Sequence, residues 1–417
     1  MPKYEKINKL LLFSNYYSVR KLSADYVFPI SQPPVKKGIV IVDDNGKIAE
    51  NVIDPAIIDY SLNDVEHYEG FICPGFVNSH CHLELSYLKG KITENSGLDK
   101  FIVELQQIRN SFIEEEKTDA ICKAENEMLT NGIVAVGDIS NNNSTFDIKN
   151  RSKILFHSFI ETFASDPLKA DRAFERAVTL YDEIKKNTRN NSASITPHAP
   201  YSLSKNLFLK IKDFAEKTGD IISIHHEESE DENKFFLQKK SKISDMHIEF
   251  GVEHSDFAGC GKRPLDAISE YIAKNNTIQF VHNTVANEFD IDFAINYFPN
   301  VYWCFCPNAN LYIEQKLPEF AMFFNRKCKI TVGTDSFASN KKLSILEELK
   351  TIKLNVPFIP LHEILKWATL NGAEFIGLSD SLGSLEKGKS PGILHLEDVN
   401  IEKLHLTKEA SVHVLIK

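Results

Sequence analysis

The chain has no Cys-x-x-Cys pair, and its seven cysteines in 417 residues are scattered. That excludes a dense disulfide framework. It also excludes the zinc-deaminase architecture that needs His-x-Glu followed by Pro-Cys-x-x-Cys. Reduced thiols in a cytoplasmic compartment are expected instead. No apolar run approaches the ~20 residues that cross a bilayer. The start, Met1 to Phe13, has too short an apolar core and no small-residue cleavage site for a secretory signal. No membrane partner is therefore expected. Basic charge is short as well: 48 Lys and Arg stand against 58 Asp and Glu, a net −10. No nucleic-acid partner is expected from that balance, whereas a small base or nucleoside fits, because a pocket need not share the sign of the surface. Gly and Pro are sparse at 18 and 16, with 42% hydrophobic and 25% charged residues. Such a composition belongs to a globular chain and not to a disordered or collagenous one.

What is present changes style along the chain. Residues 1–69 read as short strands broken by turns: Lys9–Ser14, Asp25–Pro29, Gly38–Val42 and Val65–Tyr68, with Asp44-Asn45-Gly46 as a hairpin turn. Residues 379–417 repeat the style in Gly392–Leu396 and Ala410–Ile416. The two ends are expected to form one small β-sandwich. Residues 70–378 alternate strand-like and helical patterns. The strand-like runs are Phe71–Asn78, Ile133–Asp138, Ile154–Ile160, Ala193–Thr196, Ile221–Ile224, Thr277–Val281, Val301–Phe305 and Ile330–Gly333. Between them lie helical patterns such as Leu98–Arg109, Asp171–Lys186 and Ser344–Leu354, and Leu361–Ile376 leads back to the small domain. Eight such repeats predict an α/β fold, the (β/α)8 TIM barrel, with reactive residues at the C-terminal ends of its strands.

His80-Cys81-His82 ends the first run. Alternate residues of a strand point the same way, so both imidazoles reach one point. His198, His225, His282 and Asp335 end later runs. A catalytic divalent metal takes about three protein ligands and keeps a position for water, whose pKa falls to near 7. His80 and His82 supply two ligands, His225 or His226 a third, and Asp335 a carboxylate able to touch metal and water. Glu228 is the candidate proton shuttle to a leaving amine; alternatively it belongs, with the acidic run 227–232, to a solvated helix start. His282 would meet the nucleophile or developing charge. Glu84 either holds a sugar hydroxyl or braces the loop after the first strand. His157, His247, His254, His362, His395, His405 and His413 are assigned to structure, and Cys304 and Cys306 to apolar filling.

The stretch Pro74-Gly75-Phe76-Val77-Asn78-Ser79-His80-Cys81-His82 resembles the first-strand signature of the amidohydrolase superfamily. His225-x-x-Glu228, His282 and Gly333-Thr334-Asp335-Ser336-Phe337-Ala338-Ser339-Asn340 follow in the family's order. Thr369-Leu-Asn-Gly-Ala373 and Gly383-Ser-Leu-Glu-Lys-Gly-Lys389 are similar to its C-terminal pattern. The chain is most similar to the chlorohydrolase and hydrolytic-deaminase branch, which includes guanine, cytosine, S-adenosylhomocysteine and aminofutalosine deaminases. Thr196-Pro197-His198 stands where binuclear members carry a carboxylated lysine, so the resemblance implies a single divalent metal, zinc or iron. It selects His225 over His226, with His80, His82 and Asp335 as the other ligands. It also implies Glu228, His282 and Asp335 as catalytic residues, and Glu84, His198 and Ser339 at the substrate. The expected reaction is hydrolytic deamination of an amino-heterocycle, an adenine-type base or nucleoside. The alternative on the same scaffold is cleavage of a cyclic amide or a carbon–halogen bond. A small-molecule substrate and a homodimer complete the expectation.

Overall fold

The computed structural model describes residues 19–57, 64–186, 192–238, 240–252 and 255–417. Four parallel strands pair in chain order: β1 (Phe76–Cys81), β2 (Ile133–Ser140), β3 (Leu155–Thr162) and β4 (Ser192–Pro197). A second parallel set follows: β5 (Ile222–His226), β6 (Ile278–His282), β7 (Val301–Phe305) and β8 (Lys329–Val332). Backbone bonds join the two sets. The His225 N–H donates to the His198 carbonyl at 2.9 Å, and the Thr334 and Asp335 N–H groups both donate to the His80 carbonyl at 3.1 Å. The ring is thereby closed into the barrel, with helices between its strands.

These strands are buried along nearly their whole length, which is why they read as apolar runs rather than as alternating ones. The barrel interior nevertheless holds a polar layer. Gln279 donates to the Ser79 carbonyl at 3.1 Å and accepts from Thr331 Oγ1 at 2.8 Å, so one β6 side chain ties β1 to β8.

The two ends of the chain meet in one seven-stranded sheet. Its order is Ser411–Ile416, Ile393–Glu397, Val65–Pro74, Val19–Val27, Ile39–Asp43 and Ile48–Ile53, with Val35–Lys36 paired to Val19–Val27. The hairpin at Asp44–Gly46 forms as expected: Gly46 has φ +78, and Asp43 Oδ1 accepts from the Asn45 and Lys47 N–H groups at 2.9 Å. The expected strand Lys9–Ser14 lies outside the described residues.

The expected run Phe71–Asn78 is two strands in two different sheets. Val65–Pro74 belongs to the terminal sheet, and β1 starts only at Phe76. Gly75 makes the transfer, because its N–H donates to the Pro391 carbonyl at 3.0 Å. A Cβ there would stand 2.4 Å from Val134 Cγ1 and 2.6 Å from that carbonyl oxygen. The expected helix Leu361–Ile376 is also divided, into Leu361–Trp367 and Leu370–Phe375. The break leaves the Ala368 carbonyl free to accept the Val77 N–H at 2.8 Å, which docks the barrel's first strand.

Gly75→Ala should lower stability by about 1–3 kcal/mol, the usual range for overpacking a tight site. The check is a thermal denaturation scan against the wild type. An unchanged midpoint would mean that the contact between terminal sheet and barrel relaxes freely.

Candidate metal centre and cavity

The C-terminal ends of β1, β5 and β8 bring four side chains to one point. His80 Nε2 and His82 Nε2 lie 3.6 and 3.5 Å from Asp335 Oδ1. His82 Nε2 faces His225 Nε2 at 3.3 Å, and ligand nitrogens of the three histidines all lie within 4.8 Å of one another. Burial pushes the His82 imidazole down to about 3 and His225 well below the ordinary histidine range. They are therefore neutral, the form in which imidazole binds metals. Neither nitrogen of the fully buried His80 has a hydrogen-bond partner. Leaving such a group unsatisfied costs about 1–3 kcal/mol. A divalent cation among these side chains would give His80 Nε2 the partner it lacks, so the donor set fits a mononuclear metal centre.

Local bonds fix the ligands' orientation. His225 Nδ1 hydrogen-bonds to the His198 carbonyl at 2.8 Å, which turns Nε2 inward. His226 turns the other way, with Nδ1 on Asn283 Oδ1 at 3.1 Å and its ring against Phe280. Asp335 accepts from Ser339 Oγ. Burial raises the Asp335 carboxyl, but the close imidazoles of His80, His82 and His282 reverse this and hold it below the usual carboxylate range.

Glu228 and His282 stand beside this centre, with His282 Nε2 3.7 Å from Glu228 Oε1. His282 Nδ1 is held by Asn310 Oδ1 at 2.8 Å, a partner that the sequence did not announce. Burial first, then the nearby Asp335 charge, pushes the Glu228 carboxyl well above its ordinary value. The acidic run around it is not a solvated helix start: Glu227 and Glu232 are fully buried, and the helix begins at Glu230. Glu227 pairs with Arg263, and Glu232 accepts the Glu228 N–H at 3.1 Å. Glu227, His282, Asn283 and Asp335 all have φ between +46 and +73. Each such non-glycine residue costs on the order of 1–3 kcal/mol, and the four cluster at the strand ends around the candidate centre.

A cavity of about 710 Å³ opens onto the centre, and His82, His198, His225, Glu228, His282 and Asp335 are on its wall. Two expected substrate contacts are not. Ser339 is fully buried, with its hydroxyl committed to Asp335 and close to Ser336. Glu84 is 3% exposed and lies behind the wall, where Oε2 accepts the Asn141 N–H at 3.0 Å. Burial raises its carboxyl to about 8. The wall instead carries Glu161, whose carboxyl burial raises to about 7. The signal for Glu161 was present as a carboxylate one residue beyond the third strand-like run. His247 was assigned to structure, yet it too is on the wall, supplied by the helix Lys242–Glu249. His157 does serve structure, between Ser192 Oγ at 2.6 Å and Ser194 Oγ at 2.8 Å, whereas His254 lies outside the described residues. Cys304 and Cys306 pack with Val281 and Ala309 as apolar filling.

A sequence profile of the Amidohydrolase family matches residues 71–412. The chain belongs to the amidohydrolase family. It is 27% identical over 325 residues to an adenosine deaminase of Helicobacter pylori, covering 76% of each chain. In structure it is similar to the Helicobacter pylori aminofutalosine deaminase in complex with methylthio-coformycin, with TM-score 0.80 and 23% identity over 94% of this chain and 97% of that one. It is also similar to a zinc-bound adenosine deaminase from Xanthomonas campestris, with TM-score 0.70 and 22% identity over 94% and 89%.

Beneath this amidohydrolase centre lies a buried ion pair. Lys149 Nζ stands 2.6 Å from Asp138 Oδ2, both side chains without solvent exposure, and also donates to Ser140 Oγ at 2.8 Å and Ser158 Oγ at 3.0 Å. Asp138 Oδ1 accepts the Leu83 N–H at 2.8 Å, so the pair fixes the backbone immediately after His82.

Elemental analysis should find one divalent ion per wild-type chain, and His80→Ala or His225→Ala should lose it. Lys149→Met should cost about 3–5 kcal/mol, because it leaves Asp138 as an uncompensated buried charge. Thermal denaturation checks this, and Lys149→Met combined with Asp138→Asn should recover part of the loss.

Proposed function

We propose that this protein is a metal-dependent hydrolase that deaminates an adenine-type base or nucleoside and releases ammonia. One observation carries the reading: three histidines, Asp335, Glu228 and His282 converge at the inner end of one cavity. Relatives described as adenosine and aminofutalosine deaminases support the choice of substrate class. Zinc is the ion we assign, since three nitrogens and a carboxylate suit it and the Xanthomonas relative carries it; iron is the second choice.

When bound by His80, His82, His225 and Asp335, such an ion would make a water acidic enough to act as nucleophile near neutral pH. Asp335 would take the proton of that water as its oxygen adds to the amine-bearing ring carbon. Glu228, kept protonated by its surroundings, would deliver its proton to the adjacent ring nitrogen. The amine then leaves as ammonia once it has gained the proton that Asp335 took, while the added hydroxyl gives its remaining proton to Glu228, which restores that acid and leaves a ring carbonyl. His282, its Nδ1 locked by Asn310, would hold Nε2 toward the incoming oxygen. We further read the terminal sheet as the small β-sandwich of both chain ends. Its boundary with the barrel lies at Gly75 rather than at residue 69, and residues 379–417 form its C-terminal part. The protein is read as a cytoplasmic homodimer without a nucleic-acid partner.

The test is ammonia release across adenine, adenosine and larger adenine nucleosides. We expect release that chelation abolishes and zinc restores. Asp335→Asn should lower turnover by ~10²- to 10⁴-fold, the usual contribution of a positioned acid or base. Near wild-type turnover in that variant would overturn the mechanism. Release of halide, or opening of a cyclic amide without ammonia, would move the reading to the alternative hydrolase.

A further inference from the structure

We infer that Glu161 and His198 form a hydroxyl-binding subsite that makes the enzyme select a nucleoside over a free base. The inference rests on the deaminase reading above and names its substrate class. Glu161, at the end of β3, is 6% exposed, and it lines the cavity. Its Oε2 accepts from Asn141 Nδ2 at 2.9 Å, while Oε1 has no hydrogen-bond partner. Asn141 is itself pinned twice more. Its N–H donates to Glu84 at 3.0 Å, and its carbonyl accepts from Arg176 Nη2 at 3.2 Å. The chain Glu84–Asn141–Glu161 is therefore a rigid bracket that leaves one buried carboxylate oxygen without a partner at the cavity wall. This gives Glu84 a part in the site from behind the wall.

The position of that oxygen suits a sugar. Glu161 Oε1 lies 3.4 Å from His225 Nδ1, at the edge of the imidazole away from the nitrogen that faces His82. It thus lies across the His225 ring from the nitrogen that belongs to the metal centre. The His225 Nδ1 proton is already directed to the His198 carbonyl at 2.8 Å, so it leaves Oε1 to another donor. His198 Nδ1 is tied to Ser202 Oγ at 2.8 Å, which leaves Nε2 for a ligand. Glu161, His198 and His225 hold their ligand atoms within 4.8 Å of one another.

A carboxylate oxygen accepts only, whereas the remaining imidazole nitrogen donates or accepts. A hydroxyl both donates and accepts, so it answers both groups. An anionic substituent has no proton to donate to Oε1. A second metal ion would need His225 Nδ1, which is already committed. The 2′- and 3′-hydroxyls of a ribose attached to the purine are the groups that fit.

The test compares adenosine with 2′,3′-dideoxyadenosine. Binding is read by calorimetry on the zinc-loaded Asp335→Asn protein, and turnover on the wild type. We expect a preference for adenosine of ~10- to 100-fold, since without the hydroxyls a buried polar group is left unsatisfied. Adding Glu161→Gln should bring the ratio close to one while zinc content stays at one per chain. An equal ratio in the parent, a ratio unchanged by Glu161→Gln, or two metal ions per chain would overturn the subsite. Selective adenosine binding without any ammonia release would leave the subsite standing and defeat the deaminase reading instead.

Discussion

Two N–H groups on one carbonyl hold the structure and its chemistry together. Thr334 and Asp335 both donate to the His80 carbonyl, which closes β8 against β1. The same contact sets the Asp335 carboxylate within 3.6 Å of both histidines of the first strand. Barrel closure and ligand convergence are therefore one event, and neither survives a slip of register at that seam. Gly333 shows how little room there is. A Cβ there would stand 2.8 Å from both His80 Cβ and the His80 carbonyl oxygen, and 3.0 Å from Cys306 Sγ. The positive φ of Asp335 follows from the same geometry: the chain must turn sharply to offer two consecutive N–H groups to one acceptor.

The parts of this arrangement that were legible in the sequence are those with a period. His80 and His82 could be read because strand residues alternate, and the later strands because each is an uninterrupted apolar run. What escaped reading depends on contacts distant in sequence. Nothing local says that the apolar run 71–78 changes sheets at Gly75; the reason is Pro391, more than 300 positions away. Ser339 sits in a motif that suggests a substrate contact, but the short turn after β8 folds its hydroxyl back onto Asp335. Glu84 and Glu161 could not be ranked from sequence, because the wall of a cavity is set by packing and not by spacing. The third strand continues to Thr162, beyond the expected end at Ile160, and that extension brings Glu161 to the cavity wall beside His225.

The buried acids show what the site costs the fold. Glu84, Glu161, Glu228 and Glu232 are all nearly or fully buried, and burial raises the carboxyl of each. Few buried cations offset them; Lys149 is committed to Asp138. A core built only for stability would avoid so many unpaired carboxyls, since each pays desolvation without a matching charge. Their concentration at one end of the barrel, beside four residues with strained backbone, is the pattern of stability given up for function.

The same economy explains why the bracket around Asn141 bears on specificity more than on catalysis. Asp335 is positioned by the His80 carbonyl and Ser339, Glu228 by Glu232, and His282 by Asn310 in the helix after β7. Glu161 takes its position from β3 and, through Asn141 and Glu84, from the segments after β2 and β1. The reacting groups and the selecting group thus sit on opposite halves of the barrel, joined at His225, whose two nitrogens face one each. Changes in the loop after β2 can therefore retune which substituent the cavity accepts without moving the residues that transfer protons. On the proposed mechanism the groups after β5, β6 and β8 would fix what reaction is done, and those of the β2–β3 side would fix to which molecule.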